Sequence, residues 1–204
     1  MQILVDDEVY TPTGGPDQSV QALAEEVSAR RPDGVRRLVV GLRCDGQEVP
    51  PERLDEVLAR AVSSFQSVHL QTQPAAALAR ATLHQARAIL EDSEGLRARI
   101  ADHLDQGRHE QAMAALQQLL EVWKHAQQST QACADALGIP LGELAVEGAG
   151  VDEALASMKE QLLQLKQGME DRDFVLVGDV LRYEMARPTQ RWIAILDALL
   201  ARTL

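Results

Sequence analysis

The chain has 204 residues, enough for one domain or two small ones around a substantial core. Hydrophobic residues make up 46% and charged residues 25%, a globular balance that excludes a disordered chain. The net charge of −11, with no Lys/Arg cluster, excludes a surface built to neutralise nucleic-acid phosphates. Aromatics are only 3%, so Ala and Leu carry the apolar share, which suits helix packing better than sheet. Cys44 and Cys133 are too few for a disulfide scaffold and read as two idle thiols. The opening "MQILVDDEVY" has a strand pattern and no signal-peptide features, and no run reaches the ~18 apolar residues of a membrane span. The expected location is the cytoplasm.

In chain order, "QILVDDEVY" places Ile3 and Val5 on one strand face, with Asp6-Asp7 as a tight turn back toward Val9. After the loop "TPTGGPDQ", Ser19 caps the helix "VQALAEEVSARR", whose Val20, Leu23, Ala24 and Val27 recur at helical spacing. "VRRLVVGLRC" reads as a buried strand, and Asp45-Gly46 as a hairpin turn into "QEV". Pro50-Pro51 starts the helix "ERLDEVLARAV", and "FQSVHLQTQ" alternates as a last strand. The β-α-β-β-α-β order predicts a small α/β domain over 1–73, ferredoxin-like, or β-grasp-like because the third strand is short. The fold class is therefore α+β, with an antiparallel four-helix bundle over 74–204.

From Pro74 the period is helical. Residues 75–105 carry Leu78, Ala86, Ile89, Leu96, Ile100 and Leu104 on one stripe, with a soft spot at 93–95, and Gly107 suits a helix end. Residues 108–137 continue with Ala112, Leu116, Leu119, Trp123, Ala126, Cys133 and Leu137. In 151–170, Val151, Leu155, Met158, Leu162, Leu165 and Met169 form an a/d seam. Residues 174–203 add Phe174, Val177, Leu181, Met185, Trp192, Leu196 and Leu199. Short links at 105–107 and 171–173 demand antiparallel neighbours. The longer linker 138–150 holds Ile139, Leu141, Leu144 and Val146, which must pack across a bundle end or lend a strand to the N-terminal sheet.

No G-x-S-x-G, P-loop, G-x-G-x-x-G or H-E-x-x-H pattern occurs, so no catalytic residue, cofactor or metal is expected. The five histidines lack same-face spacing; His103 and His109 flank one turn and read as solvated helix ends. "GRHEQAMAALQQLLE" is similar to the first helix of a tetratricopeptide repeat, but the 34-residue period of an array is missing. Pro188 should kink the last helix near 184–188. Tyr183, Glu184, Arg187 and Trp192 then become candidates for a partner-binding groove at that kink. Against it stands a plain kinked helix in which Glu184 pairs with Arg187 and Arg191 and Tyr183 sits at the rim.

The pattern "DGQEV…LDQGRHEQAMAALQQLLEVW…LGI…LAVEG…MEDRDFVLVGDVLRYEMARPTQRW" resembles a group of uncharacterised bacterial proteins with a small α/β head and a helical-bundle body. The charged turn and amphipathic helix resemble, more faintly, bacterial flagellar export chaperones, which are acidic helical bundles without such a head. The expectation is a non-enzymatic protein-interaction factor, an adaptor or chaperone-like protein. Its bundle grooves would take an amphipathic partner helix and its acidic surface would favour basic partners, with no nucleic acid or membrane involved. The alternative is a small-molecule sensor or enzyme with a site at the junction of the two parts, drawing on Cys44, His69 and the linker. A third reading is a homodimer formed through the Leu/Met seam at 151–169.

Overall fold

The computed structural model describes residues 1–29, 34–146 and 149–203, and the chain divides into two units, Met1–Leu78 and Ala79–Leu204. Arg30 and Arg31 of the expected first helix and Glu147 and Gly148 of the linker lie outside the described residues.

In the first unit, β1 (Gln2–Val5) turns into β2 (Glu8–Val9) through Asp6 and Asp7, with φ of 51° and 68°. A two-residue hairpin needs both central residues left-handed, a conformation that Asp tolerates better than most. The Asp6 carboxylate is held by the Thr72 backbone N–H at 2.6 Å. Asp45-Gly46 repeats the device between β3 (Arg37–Cys44) and β4 (Gln47–Glu48). Ser19 does cap α1 (Val20–Ala29), its hydroxyl accepting from the Ala22 N–H at 3.1 Å. The loop before α1 is pinned by Glu26. That carboxylate accepts from the Tyr10 hydroxyl at 2.9 Å, the Thr13 N–H at 2.8 Å and Gln18 Nε2 at 3.3 Å. A short α2 (Leu54–Leu58) precedes β5 (Ser67–Pro74).

The strands lie in the order β2-β1-β5-β3-β4, with β1 parallel to β5 and every other pairing antiparallel. This corrects the ferredoxin-like expectation. There the third strand would sit between the first and second, whereas the two-residue β4 is too short for an interior place and pairs only at the edge. One sheet face buries Ile3, Leu42, Cys44, Val68 and Leu70 against Val20, Leu23 and Val27 of α1 and against Val57, Val62 and Phe65.

The second unit is mostly helical. Helix α3 (Ala75–Asp105) and α4 (His109–Leu137) are joined by a turn at Gly107, whose φ of 68° lets two amides close back on the end of α3. The expected soft spot at 93–95 stays helical, with the buried Ser93 hydroxyl donating to the Leu90 carbonyl at 2.6 Å. On α3, Ala86, Leu96, Ile100 and Leu104 are buried as expected, whereas at two positions the seam is shifted by one: Ala79 and Leu90 are buried, with Leu83, and Leu78 and Ile89 are only partly buried. On α4, Ala112, Leu116, Leu119, Trp123, Ala126 and Cys133 are buried as expected.

The linker packs on the helical core through Leu144, with Ile139, Leu141 and Val146 partly buried beside it. Its two short strands, β6 (Ala145–Val146) and β7 (Ala149–Gly150), pair with each other, so the linker lends no strand to the N-terminal sheet. Helix α5 (Val151–Glu170) ends in a tight turn into α6 (Phe174–Asp179). Gly168 makes that turn close: a Cβ there would stand 2.8 Å from a Val177 methyl. A π-helical turn (Val180–Glu184) and α7 (Ala186–Leu200) follow. No described helix is long and apolar enough to cross a membrane.

Candidate functional site

The break expected at Pro188 begins farther upstream than its own ring requires. Met185 N–H donates to the Val180 carbonyl at 3.0 Å, an i→i−5 bond that defines the π turn. Helix α7 then restarts at Ala186, which puts Pro188 in its first turn, where a missing N–H costs no internal bond. The Leu181 carbonyl loses its usual donor, because Met185 N–H is spent on Val180. Arg97 of α3 supplies a replacement, its Nη1 reaching that carbonyl at 3.5 Å, the long end of a hydrogen bond. Arg182, from the same turn, forms an ion pair with Asp105 at the end of α3. The π turn is thereby fastened to α3 at two points.

Arg97 is only 6% exposed, and its Nε has no hydrogen-bond partner among the described residues. Burial pulls its pKa down, and the charge of Glu94, one turn earlier, pushes it partly back. Gln161 Oε1 on α5 and Trp123 Nε1 on α4 are likewise buried without a partner. Gly168 meeting Val177 and Glu153 pairing with Arg191 at 3.9 Å fix how α5 runs against α6 and α7.

The four residues proposed from sequence do not come together. Tyr183 is 69% exposed, and Glu184 and Arg187 also lie on the surface. Trp192 is a core residue, 3% exposed, and this corrects its place in an open groove. Its indole N–H donates to Thr130 Oγ1 at 3.1 Å, and its ring meets Trp123 edge-on with centroids 6.1 Å apart. It lies eight positions after Glu184, across a break, and the helix turns it inward. The Glu184–Arg191 pair is replaced by Arg191 with Glu153.

His103 Nδ1 accepts from Arg108 Nε at 2.9 Å, and His109 stacks on Phe174 at 4.2 Å, so the two rings take separate partners. Among the described residues no group of three or more His, Cys, Asp or Glu is placed to hold a metal ion. Both cysteines are buried free thiols, and burial raises the pKa of each.

Sequence reasoning missed a groove on the helical unit. A shallow, open groove of about 590 Å³ runs along α4 beside Ile89 of α3, lined by Ile89, Ala114 and Val122 and edged by Gln117, Gln118, Glu121 and His125. The faint signal was Ile89, an aliphatic side chain displaced from the true seam of α3. Arg97 was missed because an arginine amid apolar neighbours reads as the polar face of a helix.

Residues 81–195 match the model of a family described as a domain of unknown function (DUF8042). The chain belongs to this family. The DUF8042 match begins inside α3 and ends inside α7, so it takes in the groove, Arg97 and the π turn. No curated protein and no solved structure matches the chain.

Proposed function

We propose that the chain is a non-enzymatic cytoplasmic protein-interaction factor, adaptor or chaperone-like, that takes an amphipathic partner helix in the groove running along α4 beside Ile89 of α3. In this reading the first unit is a β-grasp-like domain and the second an antiparallel four-helix bundle. The observation that carries it is the open 590 Å³ groove with an apolar floor at Ile89, Ala114 and Val122. An apolar helix face docks in such a groove through residues spaced three and four apart. The amide and carboxylate edge, Gln117, Gln118 and Glu121, offers acceptors to a basic partner, in keeping with a net charge of −11.

The test is affinity capture with the full chain, comparing wild type, Ala114→Arg and Tyr183→Ala. Ala114 and Tyr183 are both exposed, so neither change should move stability by more than about 0.5 kcal/mol. A stoichiometric partner lost with Ala114→Arg and kept with Tyr183→Ala supports the groove. Loss with Tyr183→Ala alone moves the interface to the π turn, and no stoichiometric partner at all counts against the function.

A further inference from the structure

The groove along α4 takes its lining from two rows of that helix. Ala114, Gln118 and Val122 stand one turn apart, and Gln117, Glu121 and His125 repeat the spacing beside them, with Ile89 contributed by α3. From Ala114 to His125 the helix rises roughly 17 Å at about 1.5 Å per residue, the reach of a partner helix of about three turns. Gln118 breaks the pattern. On a helix it lies between Ala114 and Val122 both along the axis and around it, so an amide interrupts the apolar floor.

Other helical glutamines of this chain have a carboxylate one turn on. Gln21 Nε2 donates to Glu25 at 3.0 Å, Gln131 Nε2 to Asp135 at 2.9 Å and Gln167 Nε2 to Asp171 at 2.6 Å. Four positions after Gln118 stands Val122, which offers the amide nothing. No side-chain hydrogen bond of Gln118 occurs among the described residues, so its donors and its acceptor all face water. A wholly apolar ridge laid over that amide would strip the water and replace none of its hydrogen bonds, which costs free energy. A partner side chain that both gives and takes a hydrogen bond avoids the loss. Glu121 adds charge at the rim. Its pair with Lys124 at 3.5 Å joins two well-exposed side chains, weak enough to yield to a partner cation.

We propose that Gln118 is the specificity-determining residue of the groove, selecting a basic amphipathic helix with a carboxamide, Asn or Gln, in the middle of its apolar stripe. The partner's apolar residues one turn to either side rest on Ala114 and Val122. Its carboxamide pairs with Gln118, and a flanking Lys or Arg meets Glu121. A single polar pair fixes register in the same way between coiled-coil helices. The pairing presupposes that the groove is the docking surface.

Two synthetic Leu/Lys amphipathic peptides of about four turns test it, identical except for Leu or Asn at the centre of the apolar face. Each is titrated into the isotopically labelled full chain, as wild type and as Gln118→Leu, with amide NMR reporting both site and affinity. Gln118 is exposed, so the two proteins should melt alike. The ratio of Leu-peptide to Asn-peptide affinity should rise about fivefold or more in Gln118→Leu, the coupling that a double-mutant cycle reads for one paired contact. An unchanged ratio, with shifts from Ala114 to His125 that Ala114→Arg abolishes, overturns the carboxamide pairing and leaves the groove standing. Peptides that shift no amide in this stretch of either protein overturn both.

Discussion

Arg172 stands where a helix end asks for glycine. Its φ is 55°, and the amides of Arg172 and Asp173 close on the carbonyls of Met169 and Gly168 at 3.3 and 2.8 Å. The same closure ends α3 at Gly107 and α4 at Gly138, where the left-handed conformation is free of Cβ strain. A left-handed non-glycine residue costs about 1–2 kcal/mol, and glycine gives back part of that through greater unfolded-state entropy. Arg172→Gly should therefore stabilise the chain by up to about 1 kcal/mol, read as a higher urea midpoint with unchanged slope. Glu26 gives a pH signature. Burial works to raise its pKa, but the hydrogen bonds from Thr13, Tyr10 and Gln18 together outweigh it and bring the value from 4.5 down to about 2. A depressed folded-state pKa stabilises fully above the unfolded value and fades as pH falls through the folded one. Melting temperature should thus fall between pH 4.5 and 2, and the fall should be shallower in Glu26→Gln; identical slopes for the two proteins would remove Glu26 from the account.

At the scale of the element, the π turn separates two side chains that the sequence placed together. Trp192→Ala should cost about 3–5 kcal/mol, since it empties a site packed against Trp123 and frees the Thr130 hydroxyl, whereas Tyr183→Ala should leave the melt unchanged. Arg97 yields a sharper contrast. A buried charge without a carboxylate is weak evidence of stabilisation, and an apolar side chain of similar length often does as well or better. Arg97→Met should leave the melting temperature equal or raised, while hydrogen exchange at the amides of 181–185 quickens because the π turn has lost its fastening. Arg97→Ala should lower stability outright by leaving a void. Unchanged exchange in Arg97→Met would show that the guanidinium does not hold the turn. These elements were unequally legible. The seam of α4 could be read because its Ala, Leu and Trp keep a strict helical period. The seam of α3 was legible at Ala86, Leu96, Ile100 and Leu104 but slipped to Leu78 and Ile89 elsewhere, because Ser93 and Arg97 occupy inward positions and blur the stripe. Pro188 announced a break, but no residue from Val180 to Glu184 announces an i→i−5 bond, which depends on contacts from another helix.

At the scale of the whole molecule, the two-part α+β organisation was legible from the change of period near Pro74. The strand order was not, because hydrophobic alternation says which face of a strand is buried and nothing about its neighbour. The groove at Ile89 and Ala114 was equally hidden, since it arises from the spacing between two helices and not from either one. Family membership extends over residues 81–195 and thus over the helical unit.

The pairing of β1 with β5 also sets a timetable. Each residue of β1 meets a partner 65 positions later, as Gln2 does Ser67, so the centre of the sheet joins the two ends of its own unit. During synthesis the first strand must wait, solvated, until residues 67–70 have left the ribosome, and a chain truncated before Ser67 should show no sheet signal by circular dichroism. Closing so long a loop carries an entropic cost that local hairpins avoid. Birth order and assembly order are therefore reversed at this end of the protein: what emerges first is finished last.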